Sequence, residues 1–190
     1  MRYYLIKEVS FGNDGNISKE KLENCINSDL ANNYGNLCQR VTSFIEKNSN
    51  LEVPDKSTFN DSDLKVLNVF KDNYENLINY IDVQDINSYV NFLVDQLFSA
   101  NKYFNDQEPW NKKSDIKRLG TIQYVSLELI RKITIMLYPI IPESALKVLK
   151  IFDIKENQID FKTIVDNEYL KSKTKIMKIS ILFNKIENND

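Results

Sequence analysis

The sequence predicts an all-α fold, an antiparallel helix bundle with a small segment ahead of it. Three observations carry that expectation. Apolar residues recur at helical spacing through four long stretches. The breaks between them are short or polar, which favours antiparallel neighbours. Capping residues and prolines stand where such helices would begin and end.

Residues 2–17 (RYYLIKEVSFGNDGNI) open with an apolar, aromatic half suited to a short helix end or a strand. Phe11-Gly12-Asn13-Asp14-Gly15 is a turn signal, and Ser18 a candidate N-cap. A helix is predicted over 19–47, where Leu22, Cys25, Ile26, Leu30, Leu37, Val41, Phe44 and Ile45 share a face. Its polar face carries Asn33, Asn36, Arg40, Ser43 and Lys47. Gly35 inside it costs about 1 kcal/mol against alanine, so close packing against another part of the chain is expected there.

Residues 48–61 read as a loop rich in turn formers. A second helix fits 62–81, and Asp82–Asp85 make a short break. The cleanest pattern is the third, 86–104, with Ile86, Tyr89, Val90, Leu93, Val94, Leu97 and Phe98 on one side. Ser114 can cap a fourth helix over 115–138, which stops at Pro139. Pro142 is suited to the first position of a fifth, running to about Phe152. The expected organisation is a 1–18 linker segment, a 19–153 bundle and a 154–190 tail that packs back on the bundle or on a neighbouring domain. The tail's KSKTKIMK is read as a solvated cationic surface.

Composition narrows the function. The chain has 190 residues, 42% hydrophobic and 27% charged, enough for one sizeable core. It has no histidine, so no Ser-His or Cys-His pair can activate a nucleophile. No glycine-rich phosphate loop occurs among its 4 glycines. Cys25 and Cys38 match no zinc spacing and are expected to be buried free thiols. A binding module is favoured over an enzyme. The net charge of −2 argues against a general nucleic-acid coat but allows a local RNA site made of a few shaped contacts. No apolar stretch is long enough for a membrane span, and the N-terminus lacks a signal-peptide pattern, so a cytoplasmic address is expected.

The candidate site is a split set of three side chains. Asn36 and Arg40 stand four residues apart in NSDLANNYGNLCQR, one turn apart on one helix face. Trp110, the single tryptophan, follows Pro109 in NDQEPW. An amide, a guanidinium and an indole are the groups needed to hydrogen-bond one unpaired base and to stack on another ring.

These two runs, in this order and separation, resemble the anticodon-binding domain of methionyl-tRNA synthetases. The resemblance extends over nearly the whole chain. RYYLIKEVSFGNDGNIS is similar to the stem-contact segment after the family's catalytic core, LYPIIPESALKVL to its late proline-punctuated helix, and ILFNKIE to its closing segment. It implies the class I synthetase anticodon-binding bundle, with 1–18 as stem-contact segment. It implies that Asn36 and Arg40 read cytosine at the first anticodon position and that Trp110 stacks on the anticodon loop. The implied partners are a methionine tRNA with a CAU anticodon and the enzyme's own catalytic domain, with no DNA and no membrane. The family's His-Ile-Gly-His and Lys-Met-Ser-Lys-Ser signatures do not occur, so no catalytic or metal-binding residue is expected here. ATP, and zinc where the family has it, would belong to the catalytic part, and this portion would be a monomer. Asn184 departs from the family's proline-containing ending, which puts docking of the tail on the catalytic core in question. Two alternatives stay open: the same bundle from a sister class I synthetase, and a helical protein-interaction module with no RNA role.

Overall fold

In a computed structural model, residues 1–9, 15 and 17–186 are described. The turn expected at 11–15 lies almost wholly outside them. Among the described residues the regular structure is helical, as the periodicity predicts.

The opening segment is a helix, α1 (Arg2–Glu8). Ser18 caps α2 (Lys19–Cys25), its hydroxyl accepting from the Lys21 amide at 3.4 Å. The single helix expected over 19–47 is not continuous. A π-helical stretch, Ile26–Gly35, separates α2 from α3 (Asn36–Ser49). The wider π turn points each amide at the carbonyl five residues back. A Cβ on Gly35 would stand 3.0 Å from the Leu30 carbonyl oxygen and 3.6 Å from the Phe183 ring. The close packing expected at Gly35 is therefore real, and part of it comes from the C-terminal tail. Asp29 pins the π stretch to α1, accepting from the Tyr3 hydroxyl at 2.8 Å and from Lys7 Nζ at 2.6 Å.

The helix expected over 62–81 is two, α4 (Asp61–Asp72) and α5 (Tyr74–Asp82). They part at Asn73, whose side chain donates to the Val69 carbonyl at 2.8 Å. The backbone at Asn73 leaves the helical region, with φ −106° and ψ 7°. Then come α6 (Ile86–Asp106), α7 (Ile116–Leu137) and α8 (Pro142–Leu149). Asp115 caps α7 in place of Ser114, accepting from the Arg118 amide at 3.0 Å. Cys25 and Cys38 are buried free thiols, as expected.

The bundle is organised around α7, buried from Leu119 to Leu137. Tyr34 meets Thr134 and Ser49 meets Gln123, so α3 and α7 are antiparallel. Tyr89 reaches the Met136 carbonyl while Tyr103 and Arg118 share Asp63, so α6 and α7 are antiparallel too. The helices α3 and α6 consequently run parallel to each other. Charged residues of α7 are buried as well. Glu128 accepts from Arg131 Nε at 2.7 Å and from the Leu170 amide at 2.7 Å. Arg131 donates to the carbonyls of Thr163 (3.1 Å) and Asp166 (3.0 Å). Burial pushes the Lys132 amine down to about 7. The tail closes the other side. Val53 exchanges backbone hydrogen bonds with Lys173 and Thr174, at 2.8 and 2.9 Å.

Candidate nucleic-acid interface

Asn36 is the first residue of α3 and is exposed, and Arg40 lies one turn on. Trp110 sits in a single 3-10 turn, Pro109–Asn111, between α6 and α7. Seventy residues of sequence separate Arg40 from Trp110, and the fold brings them to one ring. The Arg40 guanidinium lies over Phe104, 5.6 Å from its centroid, within cation–π range. Trp110 meets the same ring edge-on at 6.3 Å and 71°. Arg40 Nη2 also donates to Asn105 Oδ1 at 2.6 Å, which fixes the plane of the guanidinium. The indole remains 43% exposed, so part of it is open to a further ring.

The polar face expected along 33–47 needs one correction. Asn33 is only 6% exposed, because the π stretch turns it in against α6. There Asn101 Nδ2 donates to its side-chain oxygen. Phe98, expected in the apolar stripe of α6, is 57% exposed instead. Sequence reasoning also missed Phe104 and Asn105 as the partners of Arg40. Asn105 does open the NDQEPW run, which was the available signal.

A buried network holds the loop that carries Trp110. Asp63 is fully buried at the start of α4, where it completes a capping box with Asn60. Its carboxylate accepts from Arg118 Nη1 (2.6 Å) and Nη2 (2.9 Å) and from the Tyr103 hydroxyl (2.6 Å). Arg118 also donates to Gln107 Oε1, three residues before Trp110. Burial pushes the Asp63 carboxyl up, but the bonds from Arg118, Tyr103 and Asn60 outweigh it and hold the group below the usual carboxylate range. Glu108, between Gln107 and Pro109, takes a left-handed φ of 45°. That conformation is strained for a non-glycine residue and persists because the neighbours are fixed.

Among the described residues no group of three or more Cys, Asp or Glu side chains is placed to hold a metal ion. Nor is any helix long and apolar enough to cross a membrane.

Comparison with known proteins agrees with this architecture. Residues 1–42 match the family model for class I tRNA synthetases (M), and residues 53–190 match that for the anticodon binding domain of methionyl tRNA ligase. The methionine–tRNA ligase of Brucella suis biovar 1 is 37% identical over 166 residues, covering 87% of this chain and 32% of that protein. The methionine–tRNA ligase of Thermotoga maritima is 36% identical over 197 residues, covering 100% of this chain and 30% of its own length. The apo methionyl-tRNA synthetase of Mycobacterium tuberculosis superposes with a TM-score of 0.91 at 34% identity, over 98% of this chain and 38% of that one. The bundle is thus of the class I tRNA synthetase kind. More narrowly, the chain belongs to the family of anticodon-binding domains of methionyl-tRNA ligase. It spans about a third of the length of the relatives it matches.

Proposed function

We propose that this chain reads the CAU anticodon of a methionine tRNA, as the anticodon-recognising part of a methionine–tRNA ligase. The whole enzyme would attach methionine to that tRNA using ATP, in the cytoplasm, for protein synthesis. ATP and any zinc would be held by the catalytic part, which would be the other partner of this chain. The portion described here would act as a monomer.

The observation that supports this reading is the meeting of Arg40 and Trp110 on the Phe104 ring. Two groups suited to a single-stranded base are held together and partly exposed. Cytosine presents O2 and N3 as acceptors and its amino group as a donor. Arg40 can donate to the first two, and the Asn36 carboxamide can satisfy the third. Uracil places a donor at N3 against the guanidinium, and one unpaired buried group costs roughly 1–3 kcal/mol. Trp110 would stack with little base preference.

The test is titration of short RNA hairpins bearing CAU or GAU in the loop, followed by Trp110 fluorescence. The reading expects quenching by CAU at lower concentration, and loss of that preference in Arg40→Ala. Equal binding of both loops by both proteins refutes it. Absence of any RNA response in low salt would favour a protein-interaction bundle.

A further inference from the structure

An open cleft of about 590 Å³ lies among the end of α2, the π stretch and the middle of α6. That is within the range of small-ligand clefts, roughly 300–1,000 Å³. Five asparagines, Ser28 and Phe98 line it, with no charged side chain among them. Two features of this lining are unexplained by packing. Asn33 Nδ2 is buried and has no acceptor among the described residues. Buried polar groups are ordinarily satisfied, so a donor left this way points to an absent acceptor. Phe98 is a large aromatic ring left 57% exposed on a helix whose other large apolar residues are mostly covered.

The two features belong to one construction. Asn101 Nδ2 donates to Asn33 Oδ1 and to the Leu97 carbonyl (3.1 Å), which fixes the Asn33 amide with its donor end unused. Phe98, Asn101 and Asn105 recur at i, i+3 and i+7 on α6, hence on one face. Asn105 is the residue that holds Arg40. Because α3 and α6 run parallel, this ladder continues the Arg40 site by two turns, toward the start of α6. A neutral amide wall with one open aromatic ring suits a flat heterocycle with hydrogen-bonding edges. A phosphate would call for cations, which the lining lacks.

We infer that this cleft is a second nucleobase subsite, in which an unpaired loop nucleotide neighbouring the one at Arg40 stacks on Phe98 and accepts a hydrogen bond from Asn33 Nδ2. The inference rests on the anticodon reading above. It is tested with the CAU hairpin and the Trp110 signal, using Phe98→Ala, Phe98→Tyr and hairpins made abasic at each loop position in turn. Phe98 is exposed, so both variants should keep the fold, as far-UV circular dichroism can verify. Phe98→Ala should weaken binding by roughly 5- to 150-fold, and Phe98→Tyr, which keeps the ring, should restore it. At one loop position the abasic change and Phe98→Ala should fail to add, which identifies the base in the cleft. If the parent chain does not bind the CAU hairpin, the anticodon reading falls and the subsite with it. If it binds but Phe98→Ala leaves affinity unchanged, or adds fully with every abasic position, the subsite alone is overturned.

Discussion

Replacing Asp63 by asparagine is the sharpest test of how the fold holds the Trp110 loop. The substitution keeps size and shape but removes the charge. Oδ1 takes bonds from Arg118 Nη2 and Tyr103, and Oδ2 from Arg118 Nη1 and the Asn60 amide. Every incoming group is a donor. An amide NH2 at either position therefore faces a guanidinium N–H and one further donor. Breaking a buried, hydrogen-bonded ion pair costs about 3–5 kcal/mol. Arg118 keeps 18% of its side chain exposed and can recover some hydration, which favours the lower end. At roughly 2–4 °C per kcal/mol for a chain of this size, the melting temperature should fall by about 6–12 °C. Calorimetry at neutral pH measures it, and the native emission of Trp110 should shift because Gln107 loses a fixed partner. The sign with pH follows from the depressed pKa of Asp63. Its contribution is complete above the unfolded value of about 3.9 and is lost as pH falls through the folded one. The gap between parent and variant should therefore close in acid. A melting temperature within 2 °C of the parent, with unchanged emission, would refute the anchoring role.

Further outcomes follow from other sites. Trp110→Ala should weaken CAU and GAU hairpins alike, by about 1–3 kcal/mol, whereas Arg40→Ala should act mainly on their difference; fluorescence anisotropy of labelled hairpins separates the two. Lys132, held near 7, lies below the unfolded lysine value of about 10.4. Between those values the unfolded chain binds the extra proton, so this residue makes stability rise with pH from 7 upward. Lys132→Met should flatten that rise in thermal melts at pH 7, 8 and 9. Gly120 faces the Asp55 carbonyl, which an added Cβ would approach to 2.4 Å. Gly120→Ala should thus destabilise the chain by about 1–3 kcal/mol in denaturant titration, by displacing the 54–57 segment from α7.

The long helices were legible because apolar spacing reports burial, and α6 follows it over most of its length, whereas α7 is buried on every side from Leu119 to Leu137. The π stretch was not legible, because Leu22, Cys25, Ile26 and Leu30 keep a spacing that an ordinary helix also allows. The backbone leaves the helical region at Asn73 alone, a single-residue departure that periodicity does not encode. Phe98 fits the apolar rhythm of α6 yet faces outward, since a pattern shows which residues share a face but not whether a neighbour covers it. At the site, Asn36, Arg40 and Trp110 could be picked out as residue types in two runs. The grouping of Arg40 with Trp110 depends on Phe104 and Asn105, contributed across more than sixty positions, and beyond the place of Asn105 at the head of NDQEPW such a contact leaves no local trace. The charges of Glu128, Arg131 and Lys132 would suit a surface. They are interior because residues 161–170 fold over them.

That last arrangement imposes an order on assembly. Carbonyls and amides of residues 163–170 complete the bonding of Glu128 and Arg131. Glu128 and Arg131 pair with each other on α7, but until those residues are available the pair lacks its remaining partners, and burying it incompletely bonded would be costly. In a chain made from its N-terminus, α3 and α6 precede that segment, so the helix against which both pack has its full set of partners only once the irregular segment after α8 is present. Cutting before residue 161 would therefore uncover the charged side of α7, the helix against which α3 and α6 both pack.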